Sequence, residues 1–324
     1  MTGPRVGDSR VTSGSLLIAG GALTGSSHAI FRTLTELAGG GRIAVFGTAS
    51  SEPARVAALA VSDIVKAGGI GVALEVTPRT SSDPTLLEEL RSCAGFWFEG
   101  GDQRRITDAF TDTPALEVIR ERFHAGAVIG GTSAGAAMMG GVMIADGSSL
   151  EALQRGAATL ETGLGFLRGA ITDQHFSQRG RFARLMLALT ATDTAVGVGV
   201  DEDTALLIPP SDPWQIVGSS SVTLFEQRDG RLSLSLLKQG DTFDPLTNAL
   251  QIASQSERSS PMPRDLLEPN AFKDLLEDFI HQPSSELERV IQTDNSHWKL
   301  ILQKTSPLTR SVSKIEISLE RLEP

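Results

Sequence analysis

The chain has 324 residues, 40% apolar and 21% charged, with 39 acidic against 29 basic side chains and a formal net charge of −10. That is enough apolar material to bury a sizeable core, which argues against disorder, and the acidity argues against a role in tracking nucleic-acid phosphates. A single cysteine, Cys93, rules out an intrachain disulfide and fits a reducing, cytoplasmic compartment.

Residues 1–14 are polar and lack the apolar run of a secretory signal. From there, short apolar runs predict strands at 15–19, 42–47, 71–76, 94–98 and 127–130. Amphipathic runs between them predict helices at 28–38, 52–67, 84–92 and 103–125, the last interrupted near Pro114. Strands alternating with helices at this spacing imply a parallel, doubly wound sheet, whose sites lie at the carboxyl ends of strands. Residues 123–145 carry no acidic or basic side chain, a length that matches a membrane span. Their six glycines disfavour a continuous helix, so this window reads as a buried strand, a tight turn and a buried helix, and no membrane role is expected.

Beyond residue 195 the pattern turns β-rich, at 195–200, 204–208, 214–217, 221–226 and 231–236, as if to extend the sheet with antiparallel partners. All 33 glycines lie at or before Gly240, and four of the six lysines lie after residue 250. This shift divides the chain into a main domain over 1–250 and a C-terminal extension over 251–324, with a linker-like stretch at 254–264. In the extension, 265–281 has helical spacing, whereas 286–304 and 312–322 fit strands or helices equally. It carries no readable catalytic motif, and its role is open.

The chemistry gathers at the strand ends. Gly131-Thr132-Ser133-Ala134-Gly135 follows an apolar strand and precedes a helix start. The same string also occurs as a plain Gly/Ser turn, but the strand–turn–helix context argues for an exposed serine nucleophile. The N–H of Ala134 would face a developing oxyanion, with Gly100 or Gly101 as a second donor. Of five histidines, His175 stands in the polar segment Thr172–Arg181 and is the candidate base. Asp201-Glu202-Asp203 leaves a buried strand; in an extended chain Glu202 projects opposite to its neighbours, so one of the three, with Glu202 as the candidate, can point inward as the orienting acid while the others face water. The order serine, histidine, acid differs from the serine, acid, histidine order of common α/β-hydrolases.

Four segments, FWFEGGDQRR (96–105), GGTSAGAAMM (130–139), ITDQHFSQRGRFARL (171–185) and VGVGVDEDTA (196–205), resemble the cyanophycinases, serine exopeptidases of the family that also contains peptidase E. The resemblance implies a three-layer α/β/α sandwich with a mainly parallel sheet, of the class I glutamine amidotransferase type, assembled as a homodimer. It implies hydrolysis of cyanophycin, arginine-bearing polyaspartate, to β-Asp-Arg dipeptides. Ser133 would be nucleophile, His175 base and Glu202 its orienter, with Gln103, Asp173, Gln174, Arg179, Arg181 and Arg184 lining the substrate pocket. Asp173 would take the substrate guanidinium, and the arginines its carboxylates. No cofactor or metal is called for. Three other readings stay open: a peptidase E-like dipeptidase acting on short Asp-X peptides, a non-catalytic binding module on the same kind of sheet, and a general esterase.

Overall fold

A computed structural model describes residues 14–24, 27–245, 247, 249–253, 265–282, 284–294, 296–305 and 314–322; the linker-like stretch at 254–264 lies outside them. The first half alternates β1 (Leu16–Ala19), α1 (Ser27–Leu37), β2 (Arg42–Phe46), α2 (Pro53–Lys66), β3 (Ile70–Ala73), α3 (Pro84–Arg91), β4 (Cys93–Phe98), α4 (Gln103–Phe110), α5 (Pro114–His124), β5 (Val128–Thr132) and α6 (Ala134–Ala137). There follow β6 (Val142–Asp146), α7 (Ser149–Arg155), β7 (Thr159–Thr162), β8 (Ala170–Gln174), a 3-10 turn at Ser177–Arg179, α8 (Phe182–Thr190) and β9 (Val196–Val200). Antiparallel strands come next: β10 (Thr204–Ile208), β11 (Trp214–Gly218), β12 (Ser221–Arg228), β13 (Arg231–Lys238), β14 (Thr242–Asp244) and β15 (Ala249–Gln251). The extension adds α9 (Ala271–His281), β16 (Glu286–Gln292), β17 (His297–Lys304) and β18 (Ile315–Leu322).

Local chemistry sets these boundaries. Pro53, Pro84 and Pro114 open their helices, where a missing N–H costs nothing. Asp83, Asp102 and Thr113 cap α3, α4 and α5 with side-chain oxygens. The Thr113 cap and Pro114 are what break the 103–125 run into two helices.

The fold is mixed α/β. Its larger sheet has nine strands in the order β15-β14-β11-β10-β1-β5-β4-β2-β3, parallel from β1 to β3 and antiparallel beyond β10. Both faces of the central strands β1, β5 and β4 are buried. Leu16, Ile18, Phe96 and Phe98 point into one apolar cluster, while Leu17, Ala19 and Trp97 point into another. Only β10 and β11 of the 195–236 strands extend this sheet, together with β14 and β15. Strands β9, β12 and β13 turn away into a second sheet of seven, β16-β17-β18-β13-β12-β9-β8. There β8 lies parallel to β9, Ala170 opposite Val196 through Gln174 opposite Val200.

The extension is part of that second sheet. β18 pairs with β13, Leu232 opposite Ile317. Trp298, Leu300 and Leu302 share a core with Phe182 and Leu185 of α8 and Phe272 and Leu276 of α9. The rings of Phe182 and Phe272 stack with centroids 4.2 Å apart. Among the described residues, no helix is long and apolar enough to cross a membrane.

Candidate active site

The two sheets meet where β1, β4 and β5 of the first end beside β8 and β9 of the second. Ser133 follows β5 with φ 53° and ψ −110°, a backbone conformation that side chains normally avoid. Neighbouring backbone holds it there. A Cβ on Gly135 would stand 2.1 Å from the Phe98 carbonyl oxygen, and one on Gly131 2.6 Å from the Gly135 oxygen. The glycines of the Gly-x-Ser-x-Gly string are therefore required by contact. Among the described residues, none accepts a hydrogen bond from the N–H of Ala134 or of Gly101. Gly100 packs directly on the serine, for a Cβ there would be 3.2 Å from Ser133 Cβ.

His175 also has a positive φ, 48°. Its N–H donates to the Gly20 carbonyl at 2.7 Å, which ties β8 to the end of β1. The ring lies over Gly21, whose Cβ would come within 2.3 Å of it. His175 Nε2 is 3.0 Å from Ser133 Oγ, and Nδ1 is 2.6 Å from Glu202 Oε1. An ionised carboxylate only accepts, so Nδ1 carries the proton and Nε2 is free to accept from the serine hydroxyl. Burial pushes the imidazole below its ordinary pKa; the hydrogen bond it donates to Glu202 opposes that, and the charge of Arg179 adds to it. A ring so disposed is neutral at neutral pH.

The three acids part ways. Glu202 faces His175, with its N–H donating to Gln178 Oε1 at 3.0 Å. Asp203 accepts from Thr24 N–H at 3.0 Å and from Ser219 Oγ at 2.9 Å. Asp201, 1% exposed, turns into the second sheet and takes Ser177 N–H at 3.0 Å and Ser221 Oγ at 2.6 Å.

The expected pocket residues divide into two groups. Asp173, 1% exposed, is forked by Arg184, with Nε 2.7 Å from Oδ2, and Arg181 Nη1 stands 3.5 Å from Oδ1. Arg184 also donates to the Gly147 carbonyl. Asp173 thus differs from the expectation that it takes a substrate guanidinium, because a protein guanidinium already occupies its buried carboxylate. Arg184 is occupied for the same reason. Gln103 spends its amide N–H groups on the carbonyls of Ile144 at 2.9 Å and Ala145 at 2.6 Å. These three side chains bind the frame together.

In the second group Gln174 faces the serine, Arg179 faces the solvent and Arg181 lies between them and Asp173. Gln174 Oε1 lies 3.4 Å from Ser133 Oγ. Arg181 donates to the Gln174 carbonyl, and burial drives its guanidinium down to about 10, so it remains cationic at neutral pH. Arg179 is exposed.

Sequence reasoning passed over several residues that build the site. Thr172 Oγ1 donates to the Ala136 carbonyl at 2.6 Å and joins β8 to α6. Glu99, at the end of β4, accepts from Trp97 Nε1 at 2.7 Å, and its burial raises its pKa. Gln178 and Ser177 tie the histidine loop to the acid-bearing turn. Such contacts join positions far apart in the chain, and no local pattern marks them.

The model of peptidase family S51 matches residues 15–212. A cyanophycinase from Synechococcus elongatus is 34% identical over 245 residues, covering 68% of this chain and 76% of that protein. A cyanophycinase from Nostoc sp. is 35% identical over 223 residues, covering 67% and 75%. The crystal structure of a peptidase from an acI-B1 actinobacterium superposes with a TM-score of 0.59 at 21% identity, covering 71% of this chain and 96% of that one, a likeness of fold.

Proposed function

The chain belongs to peptidase family S51 and is a serine-type peptidase, and from that premise we propose that it is an exopeptidase releasing β-Asp-Arg dipeptides from cyanophycin. The observation that carries the reading is the unbroken series Ser133 Oγ, His175 Nε2, His175 Nδ1, Glu202 Oε1, with separations of 3.0 and 2.6 Å.

In this reading Ser133 Oγ attacks the scissile backbone carbonyl while its proton passes to His175 Nε2. Charge builds on the carbonyl oxygen, and the N–H groups of Ala134 and Gly101 receive it. Glu202 holds the Nδ1–H tautomer and stabilises the imidazolium. His175 then protonates the leaving amine, and the acyl group stays on Ser133. A water deprotonated by the neutral imidazole attacks the ester and frees the dipeptide. The exposed Arg179 and the cationic Arg181 meet the substrate carboxylates, and Gln174 orients the scissile unit beside the serine. Asp173, Arg184 and Gln103 hold the pocket floor. The same reading makes the protein a cytoplasmic homodimer, which the family resemblance supports and sedimentation equilibrium of the purified chain tests.

The deciding experiment incubates wild type and Ser133→Ala with arginine-bearing polyaspartate and analyses the soluble products by mass spectrometry. Release of β-Asp-Arg by wild type alone is the expected result. No release by folded wild type, with cleavage of short Asp-X peptides instead, would replace this substrate with that of a dipeptidase.

A further inference from the structure

We propose that Lys273, in the C-terminal extension, is a positioning residue of the active site: it balances the buried Asp201 and so holds the His175 loop and Glu202 in register. This deepens the peptidase reading and rests on it. The family match ends at residue 212, so Lys273 lies outside it.

The contacts converge on two residues. Lys273 Nζ donates to Asp201 Oδ2 at 3.2 Å and to Ser220 Oγ at 2.9 Å. Asp201 in turn accepts the N–H of Ser177, two residues beyond His175, and its backbone neighbour is Glu202. At the N-terminal end of α9 the N–H of Asn270 donates to the Ser177 carbonyl at 2.6 Å. One helix of the extension therefore grips the histidine loop through its backbone and the acid-bearing turn through a charge. The fit is close: a Cβ on Gly180, whose φ is +55°, would stand 2.4 Å from the Leu267 oxygen.

The charge is needed because of burial. The Asp201 side chain is 1% exposed and that of Lys273 18%. Three donors from Ser177, Ser220 and Ser221 satisfy the carboxylate's lone pairs but supply no net positive charge. Lys273 is the cation that meets it among the described residues. Without that cation the free energy of the buried anion rises, and the turn it anchors must shift toward water. Glu202 moves with that turn.

The test is Lys273→Met in the full chain, with Lys273→Arg as the conservative control. Two readouts are used: kcat and KM for β-Asp-Arg release per titrated active serine, and the His175 pKa followed by NMR. The groups that bear on that titration are Glu202, Arg179 and Arg181 around the ring, and Asp201 and Lys273 behind the turn. Losing Lys273 moves Glu202 away and so removes the hydrogen bond and the charge that hold the His175 pKa up against burial. The His175 pKa should fall by roughly half a unit or more. Displacement of Glu202 should lower kcat by on the order of tenfold to a hundredfold with KM little changed. Lys273→Arg should restore both. Unchanged pKa and kcat in folded Lys273→Met would overturn the proposal, as would a lowered melting temperature with no change in either. Should that variant not accumulate folded, Lys273→Gln, which keeps a donor and removes the charge, carries the same expectations. If wild type releases no dipeptide, the substrate reading falls while the titration still decides the role of Lys273.

Discussion

Ser133 is held by glycines so closely packed that a methyl group on them has no room, whereas His175 and Glu202 sit in a shell of buried charges. On the serine side Gly131 and Gly135 pack against carbonyls, and Gly100 against the serine itself. On the histidine side Asp173 is forked by Arg184 and Asp201 is met by Lys273. Steric placement is indifferent to pH and salt and intolerant of volume. Placement by ion pairs tolerates small changes of volume but fails when one charge is left alone. The reaction needs both: the serine must stay in a strained turn, and the base must stay neutral yet oriented.

The most severe way to break the serine side is Ser133→Ala. Dipeptide release should fall by about 10⁵–10⁶-fold, with an unchanged thermal melt, since the methyl group fits where the hydroxymethyl did. A melt lowered by many degrees would mean that the residue serves folding instead. Next comes Gly21→Ala, which probes the steric seam between the halves. Its φ of +109° and the 2.3 Å approach to the His175 ring should displace the imidazole. A loss in kcat/KM on the order of a hundredfold, insensitive to salt, is expected from steady-state kinetics.

Asp173→Ala tests the charged side. It leaves Arg184 buried and unpaired, which should cost about 3–5 kcal/mol in chemical denaturation. Adding Arg184→Met should recover much of that, and a double variant no better than the single would show that the pair does not work as a unit.

The smallest effect concerns pH. His175 must be neutral to accept the serine proton, and its pKa is depressed by burial first, with Arg179 contributing. Activity should therefore persist below the ordinary histidine range of about 6.5 and be lost as pH falls through the lower value. Arg179→Gln removes a positive charge, so the imidazolium becomes less unfavourable and the acid limb of kcat/KM should move up by a fraction of a unit. A limb that stays in place would assign the depression to burial alone.

Much of the first half was legible in the chain. The strand ends at Gly100-Gly101 and Gly131–Gly135 stand out because close backbone approach demands glycine, and glycine is visible in sequence. Helix starts were equally legible from Pro53, Pro84 and Pro114. The strand at Ala170–Gln174 was not, because its polar face is buried against ion pairs and a buried AITDQ looks like a loop. The division of the later strands between two sheets was also hidden, since β9 and β10 are both short and apolar and nothing local says which neighbour each will take.

What the sequence by itself determined is therefore the set of reactive groups and the steric elbow: Ser133 between its glycines, a lone histidine in a polar segment, and three acids after a buried strand. These follow from local rules of backbone and residue type. Only the tertiary structure decided how the charges are shared. It turned Asp201 and Asp203 away from His175, closed Asp173 onto Arg184, and brought Lys273 from 72 positions along the chain to the back of the site. Each of those choices depends on which carboxylate loses its water and which cation reaches it, and burial is a property of the packed molecule.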